Sequence, residues 1–378
     1  MIYLDNGATS MPKPRAVINS VGRALRSYAS PGRGSSKASE GAEELLYELR
    51  ETAGEMFGCK PEQVVLTSSA THGLNIAIKS LAGRGSRVVV SGMEHNAVMR
   101  PLYAIGAEVD IARGVLFDRD KLLEELDRKL KRETDLCVMN HVSNVFGWVQ
   151  PVEEAAKMCR DRGVPFVLDA SQSAGTQSID MEALGAAFIA MPGHKGLLGP
   201  AGTGLLLCGQ ETKTLMEGGT GSLSRELSMP EFLPDRLEPG THNIPGAAGL
   251  LAGMRFVRQK GTKRIQQHEQ GLGRLAAMLL REIPSIKVFT GEDQSGVLSF
   301  LPGNRDCVLF GETLAKKWNI ALRAGLHCAP VAHETAGTLE SGTIRLSPGP
   351  FSTERDIRFF ARAVKNEMEN GGIIVKKQ

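Results

Sequence analysis

The sequence predicts an α/β protein: a mainly parallel sheet with helices on both faces, followed by a smaller α+β domain. Between about residue 40 and residue 250, short apolar runs alternate with amphipathic helical patterns. That is how a parallel sheet with helical crossovers reads in sequence. After about residue 246 the pattern changes to a long helical stretch, then to shorter strands and helices. The length agrees, because 378 residues exceed what one ordinary core organises. There is no internal repeat and no low-complexity linker.

Six runs read as buried strands: QVVLTSS (63–69), SRVVVSG (86–92), DLCVMNHVSN (135–144), VPFVLDAS (164–171), AAFIAMPG (186–193) and GTGLLLCG (202–209). Each is short and continuously apolar, as strands covered on both faces are. Between them, DRDKLLEELDRKLKRE (118–133) predicts a helix with Leu122, Leu123, Leu126 and Leu130 on one face. The stretch from Pro245 to Ile283 predicts one long helix.

Composition narrows the function. Hydrophobic residues make up 42% and charged residues 23%, values of a soluble globular chain. The net charge of +3, from 45 basic and 42 acidic residues, is too balanced for a nucleic-acid binder. The basic run 128–133 reads as a solvated helix face. No apolar run approaches the roughly 18 residues of a membrane span. The start, MIYLDNGATS, has no basic region before an apolar one and so does not read as a signal peptide. Six scattered cysteines form no paired framework, which fits a reducing cytoplasm.

Polar clusters end the predicted strands: Ser68 to Thr71, Glu94 to Asn96, Asn140 to Asn144, Asp169 to Gln172, and His194-Lys195. In open α/β sheets ligands bind beyond the strands' carboxyl ends, so these clusters should share one crevice. Asp169 ends an apolar run and needs a cationic partner or a helix to cap. Lys195 sits in a glycine-hinged turn. A heterocycle with an aldehyde for the lysine, a ring nitrogen for the carboxylate and a phosphate would suit both; pyridoxal 5'-phosphate has that shape. TSSATHGLN (67–75) opens a helix after a strand, where free amides favour an anion, and Thr71 adds a hydroxyl. His95 titrates near neutrality and can stack on a flat ring. Asn144 and Gln172 are neutral hydrogen-bonders.

Farther along, LRAGLHCAP (322–330) places Arg323 and His327 near Cys328, and GTIRLSPG (342–349) carries Arg345. Arginine grips carboxylates at two points, and a thiol beside cations becomes a nucleophile. Competing motifs are incomplete. HCAPVAH (327–333) lacks the further ligands of a metal site, so no metal is expected. SQSAG (171–175) lacks the first glycine of a nucleophile elbow, and GPAGTG (199–204) precedes a strand where a dinucleotide loop follows one.

With these residues in view, the chain resembles the pyridoxal-phosphate-dependent class V aminotransferase-like family, in its cysteine desulfurase and selenocysteine lyase branch. The resemblance runs from YLDNGATS through TSSATHGLN, MEHNAV, HVSNVFG, LDASQSAG, GHKGLLGP and EPGTHN to RAGLHCA. It implies fold type I, with a seven-stranded, mainly parallel sheet in a large domain over residues 14–258. Residues 1–13 and 259–378 would form a small α+β domain. It also implies a homodimer with composite active sites and a protein that accepts the sulfur.

By that resemblance Lys195 carries the cofactor, Asp169 partners its ring nitrogen, and Gln172 and Asn144 contact its ring hydroxyl. His95 is the stacking acid/base. Ala70, Thr71 and His194 lie at the phosphate, with Thr241 lent by the second subunit. Arg345, Arg323, Ala8 and Asn144 bind the substrate, L-cysteine or L-selenocysteine, and Cys328 receives the sulfur as a persulfide. A selenocysteine lyase and a β-elimination lyase on a substituted cysteine are the alternatives. One departure is Pro192, where the family usually has a phosphate-contacting serine.

Overall fold

The computed structural model describes residues 1–32, 35–131 and 133–370. After β1 (Ile2–Tyr3), two helices, α1 (Arg15–Ser27) and α2 (Lys37–Phe57), precede the main sheet. The alternating segment then runs β2 (Val64–Thr67), α3 (Ala70–Leu81), β3 (Arg87–Ser91), α4 (Asn96–Ala104), β4 (Glu108–Ala112) and α5 (Arg119–Lys129). It continues through β5 (Leu136–Asn140), α6 (Val152–Arg162), β6 (Phe166–Asp169), α7 (Met181–Leu184), β7 (Phe188–Pro192) and β8 (Gly204–Cys208).

These seven strands pair in the order β2-β8-β7-β6-β5-β3-β4. All neighbours are parallel except those of β8, which runs against both β2 and β7. The fold is the expected mainly parallel α/β sheet. Alternate strand residues feed two cores. Cys137, Met139, Phe166, Leu168, Ile189 and Leu205 pack under α2, α6 and α8 on one face. Leu136, Val138, Val167, Phe188 and Leu206 pack with α3 and α4 on the other. Every residue of β5 to β8 is buried, which is why these strands read as unbroken apolar runs. Full burial of each Val, Leu, Ile, Phe or Met side chain among them contributes about 2 kcal/mol.

Three differences from the sequence reading have physical reasons. The edge strand β4 went unread because only Ala112 of it is buried and its sequence carries two acids. Helix α5 stops at Lys129, short of the expected 133, though Leu122 and Leu126 are buried as expected; Arg132 lies outside the described residues. The single helix expected over 245–283 is two, α8 (Ile244–Lys260) and α9 (Thr262–Arg281), broken at Gly261, whose φ of 85° no helix accommodates.

The rest of the chain adds β9 (Ile286–Phe289), β10 (Leu298–Pro302), α10 (Cys307–Trp318), β11 (Ile320–Ala321), β12 (Arg323–Gly325), α11 (Pro330–Ala336), β13 (Thr343–Leu346) and α12 (Glu354–Asn370). Strands β12-β13-β10-β9 form an antiparallel sheet, and β11 pairs in parallel with β1. Leu4 packs into their core with Phe300, Phe310, Leu346 and Phe360. Asp5 bridges Ser347, and this pairing carries the Asp5–Ser10 segment to the carboxyl edge of the main sheet. Among the described residues no helix is long and apolar enough to cross a membrane. Among them, too, no group of His, Cys, Asp and Glu could hold a metal ion.

Candidate active site

The polar strand ends do converge. Ser69, Ala70 and Thr71 after β2, His95 after β3, Asn140 and Asn144 after β5, Asp169 to Gln172 after β6, and Pro192 to Lys195 after β7 line one crevice. Its floor is set by register: Asn140, Asp169 and Ala190 lie side by side on β5, β6 and β7.

Lys195 is half-buried in this crevice. Burial pushes its amine down to about 8; Asp169 opposes that shift, and Arg345 and Arg323 add to it. Asp169 is 3% exposed, and its Oδ1 accepts from the Ser171 amide at 2.9 Å. It caps that turn and no helix follows directly, since α7 begins only at Met181. Behind it stands Glu94, a residue the sequence reading left without a role. Its Oε1 accepts from Ser91 Oγ at 2.5 Å and from the Asn140 amide at 2.9 Å. Burial pushes Glu94 up to about 8, and the Asp169 charge pushes the same way. Burial thus favours the neutral form of Glu94 behind Asp169.

His95 caps α4, its Nδ1 accepting from the Ala97 amide at 3.0 Å. Burial lowers its pKa, with Asp169 working against the shift. The ring is thus neutral with its proton on Nε2. Gln172 Nε2 donates to the Gly7 carbonyl at 2.9 Å. The His194 carbonyl accepts from Lys13 Nζ at 2.8 Å and from Ser10 Oγ at 3.0 Å. Lys13, which sequence reasoning missed, thereby fixes the backbone beside Lys195.

The loop bearing Cys328 sits between β12 and α11. His327 and Cys328 both have left-handed φ, 50° and 56°, a conformation costing on the order of 1–2 kcal/mol per residue. The crevice walls hold it there. Asn144 Nδ2 donates to the His327 carbonyl at 2.8 Å, and the Asn96 amide donates to the Cys328 carbonyl at 2.8 Å. The loop is thus tied to Asn144 and to the first turn of the helix that His95 caps. Cys328 is the exposed cysteine of the six.

The sequence reading placed Arg323 and His327 as cations beside the thiol, and their side chains lie otherwise. His327 Nε2 donates to the Thr343 carbonyl at 3.1 Å, its ring stacks on His333 at 5.7 Å, and burial pushes its pKa well below the usual range. It is neutral. Arg323 Nε donates to Asp5 Oδ2 at 3.2 Å. Arg345 is buried, with Nη2 2.7 Å from Asp5 Oδ1 and Nη1 donating to the Asn144 carbonyl at 2.9 Å. Ala8 lies in the same Asp5–Ser10 segment, its amide on the Asp5 carbonyl. Thr241 lies apart from the crevice, on an exposed groove with Ser68, His72 and His242.

The donor set fits pyridoxal phosphate. Asn144 Oδ1 and His194 Nδ1 are buried without partners in the crevice wall. The α3 amides of Ala70 and Thr71 belong to a first turn, where helix amides have no intrahelical acceptor. With the Lys195 amine and the Asp169 carboxylate, these groups could serve a carbonyl, a ring nitrogen, a ring hydroxyl and a phosphate.

Known proteins resemble this chain in sequence and in fold. The aminotransferase class-V family model matches residues 2–360. A probable cysteine desulfurase of Methanothermobacter thermautotrophicus is 31% identical over 96% of this chain and 94% of its own length. The apo structure of the cysteine desulfurase from Thermococcus onnurineus NA1 superposes with a TM-score of 0.88 at 30% identity, covering 97% of this chain and 94% of that one. An Escherichia coli cysteine desulfurase, in an S-sulfonic acid form, gives 0.85 at 25% identity over 97% and 94%. The chain, with its crevice lysine and aspartate at the carboxyl edge of a seven-stranded sheet, belongs to the aminotransferase class-V family.

Proposed function

We propose that this protein is a pyridoxal-phosphate-dependent cysteine desulfurase that takes sulfur from L-cysteine, holds it as a persulfide on Cys328 and releases L-alanine. The observation that carries the reading is the placement of an exposed cysteine on a loop bonded to Asn144 and Asn96, at the rim of the crevice that holds Lys195, Asp169 and His95. A transaminase has no use for such a thiol.

When bound, pyridoxal phosphate would supply a carbonyl for amines and an electron sink for the pair released at Cα. Lys195 and Asp169 would hold its two ends, Gln172 and Asn144 its ring oxygen, and His95 its face. Ala70, Thr71 and His194 would take the phosphate, with Thr241 supplied by a second subunit; Pro192 offers no hydroxyl there. The chain's own chemistry follows from the site's electrostatics. An amine held at about 8 has a sizeable neutral fraction near neutrality, so Lys195 can accept the Cα proton. Neutral His95 can donate from Nε2. Arg345, with Arg323 beside it, binds the substrate carboxylate, next to Ala8 and Asn144. The Cys328 thiol loses its proton and attacks the substrate sulfur. A sulfur–sulfur bond forms, the carbon–sulfur bond breaks, and its electron pair stays with the substrate carbon, which takes up a proton to become alanine.

A homodimer, a sulfur-accepting protein and a cytoplasmic setting belong to the same reading. So does a division into a large domain over 14–258 and a small one from 1–13 and 259–378, which the separate core around Leu4, Phe300 and Phe360 supports. The test is to incubate the purified protein with L-cysteine and assay products. Alanine and protein-bound sulfur in equal amounts are expected; pyruvate and ammonia would make it a β-elimination lyase.

Asp169→Asn should retain part of the cofactor but lower turnover on the order of a hundredfold or more, because a charge aimed at developing charge is lost. Near-normal steady-state rates would mean that Asp169 only caps the Ser171 turn.

A further inference from the structure

Arg345 already has a carboxylate on it. The residue is 2% exposed, with Nη2 on Asp5 Oδ1 at 2.7 Å and Nη1 on the Asn144 carbonyl at 2.9 Å. The other Asp5 oxygen accepts from Arg323 Nε at 3.2 Å. Two guanidinium charges thus share one buried carboxylate, and the trio keeps a single positive charge in surplus. Arg345 Nε is buried with no acceptor, a donor still to be used.

Asp5 is fixed in this position by its backbone. It bridges Ser347, and the flanking bonds Asn6 N to Ser347 O (3.0 Å) and Ser347 N to Leu4 O (2.7 Å) lock it against β13. Arg345 is also held without Asp5, by the Asn144 carbonyl and by Gly7. A Cβ at Gly7 would stand 3.2 Å from Arg345 Cζ and 3.3 Å from Nη2, so backbone lies directly on the guanidinium. Removing the Asp5 charge while keeping its shape should therefore change the field at Arg345 more than its position.

We propose that Asp5 is a built-in counter-carboxylate that keeps carboxylate binding at Arg345 weak, so that the substrate binds against its charge and the amino-acid product is let go. The inference rests on the reading of Arg345 as the carboxylate grip. An incoming carboxylate takes up Arg345 with a like charge bound at the guanidinium's other edge. In a partly desolvated site such repulsion is screened far less than in water. Binding that holds substrate and product alike does not speed the chemical step, so a weakened grip favours turnover over retention. Asp5 is on this account a residue that sets affinity through Arg345, not one that touches the reacting atoms.

The experiment compares holoenzyme with and without Asp5→Asn, measuring the dissociation constant of L-alanine by calorimetry, the inhibition constant of acetate, and KM and kcat for L-cysteine. Asp5→Asn should tighten L-alanine and acetate by about tenfold and lower KM, with kcat unchanged or reduced. A residue needed only to hold Arg345 in place would produce the opposite sign. Asp5→Ser removes the same charge and carries the same expectation where Asp5→Asn does not yield folded protein. If the wild-type holoenzyme binds neither L-alanine nor acetate, the carboxylate grip itself is wrong. If it binds them and the variants leave the constants unchanged or raise them, the counter-carboxylate alone is overturned.

Discussion

Lys195→Ala should lose covalent attachment of the cofactor and nearly all turnover of L-cysteine, by on the order of a thousandfold or more. Loss of a positioned proton acceptor accounts for about 10²–10⁴ of that by itself. The amine is set apart by its surroundings. Burial pushes it down to about 8, and the Asp169 charge only partly offsets this. In apo-protein its reaction with an acylating reagent should therefore be slow below pH 8, rise as the proton leaves, and level off above. An exposed lysine, with its pKa of about 10.4, would still be climbing there. Borohydride reduction of the holoenzyme followed by peptide mapping should find the label on Lys195 alone. The sharpest competitor is Lys13, whose amine burial also pushes down to about 8 and which bonds the His194 carbonyl. A label on Lys13 would reverse the assignment.

What could be read in the sequence follows from how each group is held. Strands β3 and β5 to β8 are almost wholly buried, so their apolar runs and the polar residues ending them were legible, and with them the crevice of Asp169, His95 and Lys195. Strand β4 was not, because an edge strand has no need of a continuous apolar run. The division at Gly261 was hidden because buried α8 and amphipathic α9 follow one another with a single residue between them, and one glycine does not say whether a helix tolerates it or ends there. Side-chain partnerships were the least legible. Proximity along the chain suggested that Arg323 and His327 serve Cys328. The structure turns them to Asp5 and Thr343, contacts 318 and 16 residues away. Glu94 had no sequence signal beyond its neighbour His95, since its raised pKa comes from burial beside the end of β5.

Cys328→Ala should abolish persulfide and sulfide formation from L-cysteine while sparing part of any activity on L-selenocysteine. Sulfide is a poor leaving group from the cysteine carbon, so the carbon–sulfur bond needs a thiolate to accept the sulfur. Selenide leaves more readily and can depart with no nucleophile present. The structure gives this thiol its position through the backbone. Two consecutive left-handed residues, His327 and Cys328, are held by Asn144 and Asn96, whose bonds to both carbonyls help to sustain that strain. The exposure of Cys328 should make it the first of the six cysteines to be alkylated, ahead of Cys59, whose thiol burial pushes up to about 11. Mass spectrometry after brief treatment with L-cysteine should find one added sulfur, on Cys328. Asn144→Ala should slow that transfer even when the cofactor is loaded, because the His327 carbonyl then loses its donor and the loop is free to leave its strained shape. If Cys328→Ala still yields alanine from L-cysteine at the wild-type rate, no thiolate attack occurs, and the exposed cysteine is incidental to the reaction.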